Sequence, residues 1–502
     1  MSESSTGPAA PTTSGPAFGF EATLAHEVPG VTVPWQGTRS PDPRVLVLNE
    51  DLAHSLALDP ASLRSDDGAA VLSGSTPPAD DVGVAMAYAG HQFGNFVPLL
   101  GDGRALLLGE LHDDRGRRVD LHLKGSGATP FSRGGDGRAV VAAMLREYLI
   151  SEAMHALHIP TTRSLAVVTT GEHVRRDGVP QPGAVLARVA ASHLRVGTFE
   201  FAARREGLTQ PLADHAIARH YPELVELPTE DRYLAFFEAV VEAQASLVAQ
   251  WMSVGFVHGV MNTDNTTISG ETIDYGPCAF LDAYEPATVF SSIDHGGRYA
   301  YGNQPAVLGW NLARFGETLL PLVSSTPDTA IEALTAVLDT FGQRYRLHYS
   351  AAMAAKLGLD DTADNAALID DMHRLLTDHR ADWTLAFRAL ADELRGHSAP
   401  LAALIPPDAS STWLNRWRTA VSDTNQDLAS IADGMDRVNP AYIPRNHLLD
   451  AALRSATEGD LEPFEQLLDV VTTPFGYRAE RSDYAAPAPA SFSAGFQTFC
   501  GT

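Results

Sequence analysis

Two short segments early in the chain carry the alternating pattern of a β-strand. Residues 104–111 (RALLLGEL) and 119–124 (VDLHLK) are rich in aliphatic side chains and are separated by a short polar connection. The second segment alternates strictly, and its aliphatic face consists of Val119, Leu121 and Leu123. Its other face is polar and consists of Asp120, His122 and Lys124. A hydrophobic period of two residues is typical of strands, so both segments are predicted as strands.

A helical period follows these strands. Between residues 138 and 158 the hydrophobic side chains recur every three or four positions, and Pro160 closes the segment. The recurring positions are Val141, Met144, Leu145, Tyr148 and Leu149. This spacing predicts an amphipathic helix. Two further strands are predicted at residues 164–171 and 184–190, where hydrophobic runs flank an Asp-Gly turn signal.

Helical patterns dominate from about residue 200 onward. The predicted helices fall within residues 232–254, 308–357, 366–396, 411–435 and 445–471. The predicted fold class is therefore α+β, with a small β-rich N-terminal lobe that contains one key helix and a larger, mostly helical C-terminal lobe with a C-terminal extension. This order of elements is that of a protein-kinase-like, two-lobed fold.

The composition of the two ends separates them from the rest of the chain. Residues 1–16 and 483–502 are rich in Ser, Pro and Ala and offer little to bury, so both are predicted as flexible tails, the second ending near Cys500. Between the tails we expect an N-terminal segment and N-lobe at residues 17–190, a helical C-lobe at 191–400 and a helical extension at 401–482.

The charge balance excludes several classes of partner. The chain of 502 residues has 36 Lys and Arg against 62 Asp and Glu, a net charge of −26, which disfavours binding to nucleic acid or to an acidic membrane. Two cysteines are too few for a disulfide framework or a cysteine-rich zinc site. The chain has neither an apolar run of roughly 18–20 residues nor a secretory signal pattern, so we expect a cytoplasmic protein.

One candidate pair joins the second strand to the predicted helix. Lys124 ends the strand on its polar face, and Glu147 lies within the helix. In kinases a strand lysine paired with a helix glutamate holds the phosphates of ATP, because the carboxylate fixes the flexible ammonium group. The alternative is a solvated lysine and an exposed glutamate with no common role.

Two glycine-rich segments border the same strands. Gly101, Gly103 and Arg104 precede the first strand, and residues 125–137 (GSGATPFSRGGDG) lead from Lys124 into the predicted helix. Glycine lets backbone N–H groups approach a phosphate closely, and a helix N-terminus attracts anions. The segments therefore predict a nucleotide site, with a plain β-turn and a mobile surface loop as the alternatives.

Three oxygen-bearing side chains cluster after the long helix predicted at residues 232–254. Asp264 and Asn265 close the segment HGVMNTDN (258–265), and Asp274 lies in TIDYG (272–276). Amide and carboxylate oxygens suit Mg²⁺ or Mn²⁺, and a second aspartate could accept a proton. Each of these residues taken alone could instead be a turn former.

Two arginines, Arg188 and Arg195, flank the expected boundary between the lobes. In an otherwise acidic chain, a pair of arginines near a nucleotide cleft suggests bidentate contacts to phosphate. A surface salt bridge is the alternative. His258, which begins the segment that contains Asp264, is predicted to be structural.

Several longer segments resemble one protein family. They are YAGHQFGNFVPLLGDGRALLLGE (88–110), DLHLKGSGATPFSRGGDGRAV (120–140), HGVMNTDN with TIDYGPCAF (258–280), DHGGRYAYGNQP (294–305) and NPAYIPRNH (439–447). These segments are similar to the selenoprotein O (SelO) family, and the resemblance runs from about residue 18 to Cys500. It implies a pseudokinase-like fold that binds ATP in a flipped orientation. It also implies transfer of AMP to Ser, Thr or Tyr hydroxyls of protein substrates with release of pyrophosphate, and UMP transfer is also described for the family.

The resemblance assigns roles to the candidate residues position by position. Asp264 matches the proton acceptor, and Asn265 and Asp274 match the ligands of Mg²⁺ or Mn²⁺. The residues that match nucleotide contacts are Gly101, Gly103, Arg104, Lys124, Glu147, Asp136, Gly137, Arg188 and Arg195.

Two other functions stay open from the sequence. A conventional phosphotransferase would transfer the γ-phosphate, but kinases separate the base from the metal-binding asparagine, whereas Asp264 and Asn265 are adjacent. A catalytically inactive nucleotide-binding scaffold would have no need of every metal and phosphate ligand.

The two cysteines prompt a separate hypothesis. Some SelO family members carry selenocysteine near the C-terminus, where this chain has Cys500. Cys278 lies shortly after Asp274, and a redox-sensitive disulfide between Cys278 and Cys500 would tie the tail over the cleft. Two unrelated free thiols are the alternative.

Overall fold

The computed structural model describes residues 18–77, 83–176, 178–424 and 426–499. The predicted tail at residues 1–16 and the cysteine at position 500 lie outside the described residues. The strands are β1 (Thr32–Pro34), β2 (Arg44–Leu48), β3 (Val84–Met86), β4 (Gly90–Gln92), β5 (Asn95–Val97), β6 (Ala105–His112), β7 (Arg118–Lys124), β8 (Arg163–Arg176), β9 (Val179–Ala190), β10 (Phe256–Val257) and β11 (Ala279–Phe280).

Helices account for most of the chain after β9. Those before β10 are α1 (Thr23–Glu27), α2 (Glu50–Ser55), α3 (Pro60–Leu63), α4 (Asp66–Leu72), α5 (Val141–Ala156), α6 (Val196–Ala202), α7 (Thr209–His220) and α8 (Thr229–Val254). Those after β11 are α9 (Gln304–Val323), α10 (Pro327–Leu338), α11 (Phe341–Lys356), α12 (Ala363–His379), α13 (Trp383–Leu394), α14 (Ala399–Leu404), α15 (Pro407–Asp423), α16 (Leu428–Val438), α17 (Asn446–Thr457), α18 (Glu462–Val471), α19 (Ser482–Ala485) and α20 (Ala490–Ser493).

The structure contains the elements that the hydrophobic pattern predicts. β6, β7, α5 and α8 lie where the sequence places them, and β8 and β9 are longer than the predicted strands. Four of the predicted helical stretches are divided in the structure: 308–357 among α9, α10 and α11, 366–396 between α12 and α13, 411–435 between α15 and α16, and 445–471 between α17 and α18. Pro327 begins α10, a position that proline tolerates well. The chain thus has the predicted mixture of helices and strands, and its main sheet is antiparallel.

Among the described residues, seven strands form the main sheet, in the order β1-β3-β6-β7-β9-β8-β2, and neighbouring strands are antiparallel. β7 is central in this sheet. Its pairing with β9 places His122 opposite Arg188 and Lys124 opposite Leu186. Since side chains alternate between the two faces of a sheet, the polar residues of β7 share a face with Arg188.

The two faces of the sheet pack against different layers. The aliphatic face of β7, with Leu121 and Leu123, belongs to a hydrophobic cluster that includes Leu52 of α2, Leu63 of α3 and Leu72 of α4. α5 belongs to a second and larger hydrophobic cluster, which continues into α8, α9 and the later helices. The strict alternation in β7 therefore separates a buried apolar layer from the face that carries Lys124.

The C-terminal segment contacts the chain that follows β10. Residues 483–499, which the sequence places in a flexible tail, contain α20 and a β-bridge between Ser291 and Thr498. The Thr498 hydroxyl donates to the carbonyl oxygen of Pro277 at 2.6 Å. No helix in the described part of the chain combines the length and the apolar content needed to cross a membrane.

Candidate functional site

A cleft of about 340 Å³ brings the predicted site residues together. The residues that line it include Gly101, Gly103, Arg104, Lys124, Asp136, Gly137, Arg188, Arg195, Asp264, Asn265 and Asp274. Glu147 is the one predicted site residue that does not line the cleft, and it lies directly behind Lys124. The candidate residues predicted from the sequence therefore lie together in one site.

Lys124 is held by carboxylates from two different elements. Its Nζ donates to Oε1 of Glu147 in α5 and, at 2.7 Å, to Oδ1 of Asp274. Lys124 and Glu147 are both buried. They are therefore not the solvated lysine and exposed glutamate of the alternative interpretation, and the ammonium group is fixed in the cleft.

Asp274 accepts hydrogen bonds from three cationic side chains. Besides Lys124, Arg188 donates through Nη1 to Oδ1 at 2.6 Å, and Arg195 donates through Nη1 to Oδ2 at 2.8 Å. Burial alone would raise the pKa of Asp274, but Lys124 and the two arginines hold that pKa well below its usual range. Lys124, Arg188 and Arg195 thus place three cationic donors together at the cleft, and such donors suit a polyphosphate.

The backbone of Asp274 is unusual. Its φ angle is +63°, in the left-handed region that residues with a Cβ adopt rarely. Such conformations persist where the surrounding structure enforces them, and they cluster at functional sites. The side chain of Asp274 is held there by its three cationic partners.

Asp264 lies in a short 3₁₀ turn next to Arg195, whose Nη1 also donates to the Asp264 carbonyl oxygen at 2.8 Å. Its Oδ2 accepts from Nε2 of Gln92 at 3.4 Å, and its buried Oδ1 has no hydrogen-bond partner among the described residues. Burial raises the pKa of Asp264 to about 6, against the opposing effect of Arg195. A carboxylate that lines a cleft and has a raised pKa is suited to accept a proton.

Asn265 and Asp274 offer oxygen ligands to the same cleft. Nδ2 of Asn265 donates to the carbonyl oxygen of Val260 at 2.9 Å, which fixes the orientation of the amide. Amide and carboxylate oxygens fit a hard divalent cation such as Mg²⁺. No group of three or more His, Cys, Asp and Glu side chains with metal-binding geometry occurs in the described part of the chain. This donor set therefore suits an ion that also takes ligands from phosphate and water.

Close contacts with neighbouring residues require glycine at one position in each of the two glycine-rich loops. Gly101 has a φ angle of +69°, and a Cβ added there would meet the ring of Phe131. Gly137 has a φ angle of +67°, and a Cβ there would meet the backbone of Gly127. Larger residues at either position would deform the two loops that line the cleft.

His258, which the sequence predicts to be structural, is buried. Its Nε2 donates to the carbonyl oxygen of Ile273 at 2.9 Å, next to Asp274. This contact helps to position the backbone that carries Asp274.

A family model described as protein adenylyltransferase SelO matches residues 19–472. The chain belongs to the SelO family. The family predicted from the sequence is thus confirmed, and so is the enzyme class of nucleotide transfer onto proteins.

Three curated relatives of this SelO-family chain share one name, and each matches it over nearly its full length. A protein nucleotidyltransferase YdiU from Rhodococcus jostii is 69% identical over 487 residues, covering 96% of this chain and 95% of the relative. One from Mycolicibacterium smegmatis is 56% identical over 98% of this chain and 99% of the relative. A third, from Cereibacter sphaeroides, is 54% identical over 97% of this chain and 100% of the relative.

The cleft of this SelO-family chain also contains polar residues that the sequence analysis did not single out. They are Tyr88, Gln92, Asp102, Ser132, Arg133, Arg138, Arg176 and Asn262. Asp102 and Arg138 lie within or beside the glycine-rich segments, so their position was a usable signal. No signal in the sequence pointed to Arg176, because it reaches Asp136 from the far end of β8, 40 residues along the chain.

Proposed function

We propose that the chain is a cytoplasmic enzyme that transfers AMP from ATP to Ser, Thr or Tyr hydroxyls of proteins and releases pyrophosphate. The observation that carries the proposal is the convergence of Lys124, Arg188 and Arg195 on Asp274, in the cleft that also contains Asp264. Membership of the protein adenylyltransferase family supports the AMP product rather than a phosphorylated one.

The cations favour ATP in the flipped orientation. Arg188 and Arg195 have 3% of their side-chain surface exposed, so they would bind the terminal phosphates at the base of the cleft. Lys124 would neutralise the same phosphates from the strand side. The α-phosphate would then face the open side of the cleft, where an acceptor protein can approach.

The two glycine-bearing loops complete the nucleotide site in this proposal. Gly101, Gly103 and Arg104 would lie against one side of the nucleotide, and Asp136 and Gly137 against the other. Glu147 would act through Lys124 by holding its ammonium group.

The proposed transfer step moves one proton and releases one leaving group. The acceptor hydroxyl oxygen forms a bond to the α-phosphorus, and the bond from that phosphorus to the α–β bridging oxygen breaks. Asp264 takes the hydroxyl proton, and pyrophosphate leaves with the bridging oxygen. The cations around the terminal phosphates stabilise the charge that develops on the leaving group.

Asn265 and Asp274 would hold the divalent ion, Mg²⁺ or Mn²⁺. When bound, such an ion neutralises phosphate charge and restricts the phosphate oxygens to one geometry. Asp274 would have to exchange part of its contact with the three cations for the ion, which becomes possible when phosphates bind those cations.

The kinase-like, two-lobed architecture belongs to the same proposal. The sheet and α5 would form the small N-lobe within residues 17–190, and the helices of residues 191–400 would form the C-lobe, followed by an extension at 401–482. The cleft draws residues from both parts of the chain, which supports this division.

The proposal is tested with the purified protein, a divalent ion, an acceptor protein and ATP labelled at either the α- or the γ-phosphate. We expect protein-bound label from α-labelled ATP alone. Label from γ-labelled ATP alone would establish a conventional phosphotransferase, and ATP binding without any transfer would favour a scaffold. Replacing ATP with α-labelled UTP measures whether UMP is also transferred.

A redox disulfide between Cys278 and Cys500 remains a proposal. Cys278 is buried, and burial raises the pKa of its thiol to about 12, so the free thiol is a poor nucleophile in this conformation. Cys500 lies outside the described residues, but Thr498 contacts the carbonyl oxygen of Pro277, which is adjacent to Cys278. Equal transfer rates with and without a reductant, and no linked peptide in a digest, would contradict it.

A further inference from the structure

His122 lies between Arg188 and the glycine-rich loop at Asp102. Its side chain is fully buried, and it belongs to β7, the central strand of the main sheet. Nε of Arg188 donates to Nδ1 of His122 at 3.3 Å, and Nε2 of His122 lies 3.0 Å from Oδ2 of Asp102. The imidazole does not line the cleft, so it can contact the nucleotide only through other residues.

The sheet register makes this arrangement obligatory. β7 and β9 are antiparallel, and His122 lies directly opposite Arg188 in the pairing. Side chains of directly opposed residues lie on the same face, so the imidazole and the base of the arginine side chain are neighbours. A shift of one residue in either strand would move one of them to the apolar face.

The hydrogen bonds determine the tautomer of His122. The Nε of a guanidinium group can only donate, so Nδ1 of His122 must accept and carries no proton. The proton is therefore on Nε2, which donates to the carboxylate of Asp102. A doubly protonated imidazole would place two donors against each other, so the geometry requires the neutral ring.

Asp102 connects this histidine to the glycine-rich loop. It lies between Gly101 and Gly103 and is buried. Its Oδ2 also accepts from the backbone nitrogen of Met86 at 3.0 Å, and its carbonyl oxygen accepts from the hydroxyl of Thr129 at 2.6 Å. The position of the loop is therefore fixed at the residue that holds His122.

We propose that His122 is a positioning residue for nucleotide binding: it holds the guanidinium group of Arg188 aimed into the cleft and couples its position to the loop at Asp102. The inference rests on the proposed function, because it assumes that Arg188 binds phosphate. Nη1 of Arg188 contacts Asp274, which lines the cleft, so a phosphate would compete with this contact. Nε contacts His122, which does not line the cleft, so this contact would persist. A guanidinium group held in advance loses less side-chain freedom on binding.

The test is a double-mutant cycle on the full chain, with binding of α,β-methylene ATP and Mg²⁺ measured by calorimetry. His122→Gln keeps a donor near Asp102 but removes the acceptor for Arg188. With Arg188 present we expect it to weaken nucleotide binding about tenfold. In the Arg188→Ala background it should change the affinity by less than about twofold, because the positioned group is already absent.

His122→Asn is the partner variant. Its amide oxygen can take the place of Nδ1, so it should retain more of the nucleotide affinity than His122→Gln does. His215→Gln serves as the matched control, because His215 is also buried and also contacts a carboxylate. That carboxylate belongs to Glu27, which does not line the cleft, whereas Asp102 does. It should bind the nucleotide like the wild type.

Each outcome decides between two interpretations. Equal losses from His122→Gln in both backgrounds, or no loss when Arg188 is present, would show that His122 serves only the fold. A wild type that binds no nucleotide would overturn the proposed function and this inference together. If both variants unfold, nitrogen NMR of histidine-labelled wild type decides, since a proton on Nδ1 of His122 contradicts the inference.

Discussion

At the scale of single residues, the cleft depends on the carboxylate of Asp274. It lies within hydrogen-bond distance of Lys124, Arg188 and Arg195, and its backbone is in the left-handed region. Without that negative charge, three cations would face each other in a buried space. Asp274 therefore organises the cations before any phosphate binds.

Replacing this carboxylate should abolish transfer. Asp274→Asn removes the charge that balances the cations and a proposed metal ligand, so we expect the rate of transfer from α-labelled ATP to fall more than about 100-fold. Lys124→Ala should weaken transfer severely. Asp328→Asn, at an exposed position in α10, is the control and should retain full activity. Full activity in either of the first two variants would contradict the site.

A second residue-scale prediction concerns His373, a half-buried histidine that does not line the cleft. Burial lowers the pKa of His373 from 6.5 to about 4, and its Nε2 lies 3.0 Å from the hydroxyl of Tyr349. Because the folded pKa is depressed, the neutral ring contributes stability above pH 6.5 that is lost as the pH falls from 6.5 towards 4.

The side chain introduced by His373→Gln does not titrate. The free energy of unfolding of this variant should therefore rise relative to that of the wild type as the pH falls. Between pH 7.5 and pH 5 we expect the difference in unfolding free energy between the variant and the wild type to shift by about 2 kcal/mol in favour of the variant. Denaturant unfolding of both proteins at the two pH values measures this change. A difference in unfolding free energy that does not vary with pH would contradict the prediction.

At the scale of elements, the loop of residues 125–137 depends on a contact with the end of β8. Arg176 donates through Nη1 and Nη2 to the two carboxylate oxygens of Asp136, at 2.8 and 3.0 Å, and through Nη2 to the carbonyl oxygen of Arg138. Its guanidinium group also lowers the pKa of Asp136. A strand end thus holds the loop that is proposed to contact the nucleotide.

Loosening that loop should affect nucleotide binding more than chemistry. For Arg176→Ala we expect the KM for ATP to rise about tenfold while kcat stays within about threefold, because the residue orders a binding loop and does not reach the reacting atoms. Arg175→Ala is the control, since Arg175 is exposed, lies next in the strand and does not line the cleft. Equal kinetics of the two variants would contradict this role for Arg176.

At the scale of the whole molecule, one buried arginine joins three distant segments. Arg445 precedes α17 and is fully buried. It donates to Asp282 in the chain that follows Asp274, to Asp382 at the start of α13, and to the carbonyl oxygen of Ala485 near the C-terminus. The C-terminal segment is thus fixed to the chain that leads out of the cleft.

Removing this arginine should destabilise the whole fold. Arg445→Met leaves two carboxylates without their buried partner, so we expect the free energy of unfolding to fall by about 3–5 kcal/mol. Arg454→Met in α17 removes an exposed arginine paired with Asp450, and its cost should stay below about 1 kcal/mol. Denaturant unfolding compares them, and similar midpoints for the two variants would contradict the proposed importance of Arg445.

Local patterns in the sequence determined most of the secondary structure and the identity of the candidate site. The alternation in β7 placed His122 and Lys124 on one face, and the helical spacing of α5 placed Glu147 on an element that could reach Lys124. Glycines, acidic residues and arginines of the right types predicted the candidate nucleotide site, because phosphate and metal chemistry restricts which side chains can serve.

Only the tertiary structure decided how these residues meet. The register of β7 and β9 set His122 opposite Arg188, and the reach of β8 brought Arg176 to Asp136. The gathering of three cations on Asp274 and the contacts of Arg445 likewise join residues far apart in the chain. Such contacts depend on strand register and on the packing of distant elements, which no local pattern of hydrophobic and polar residues specifies.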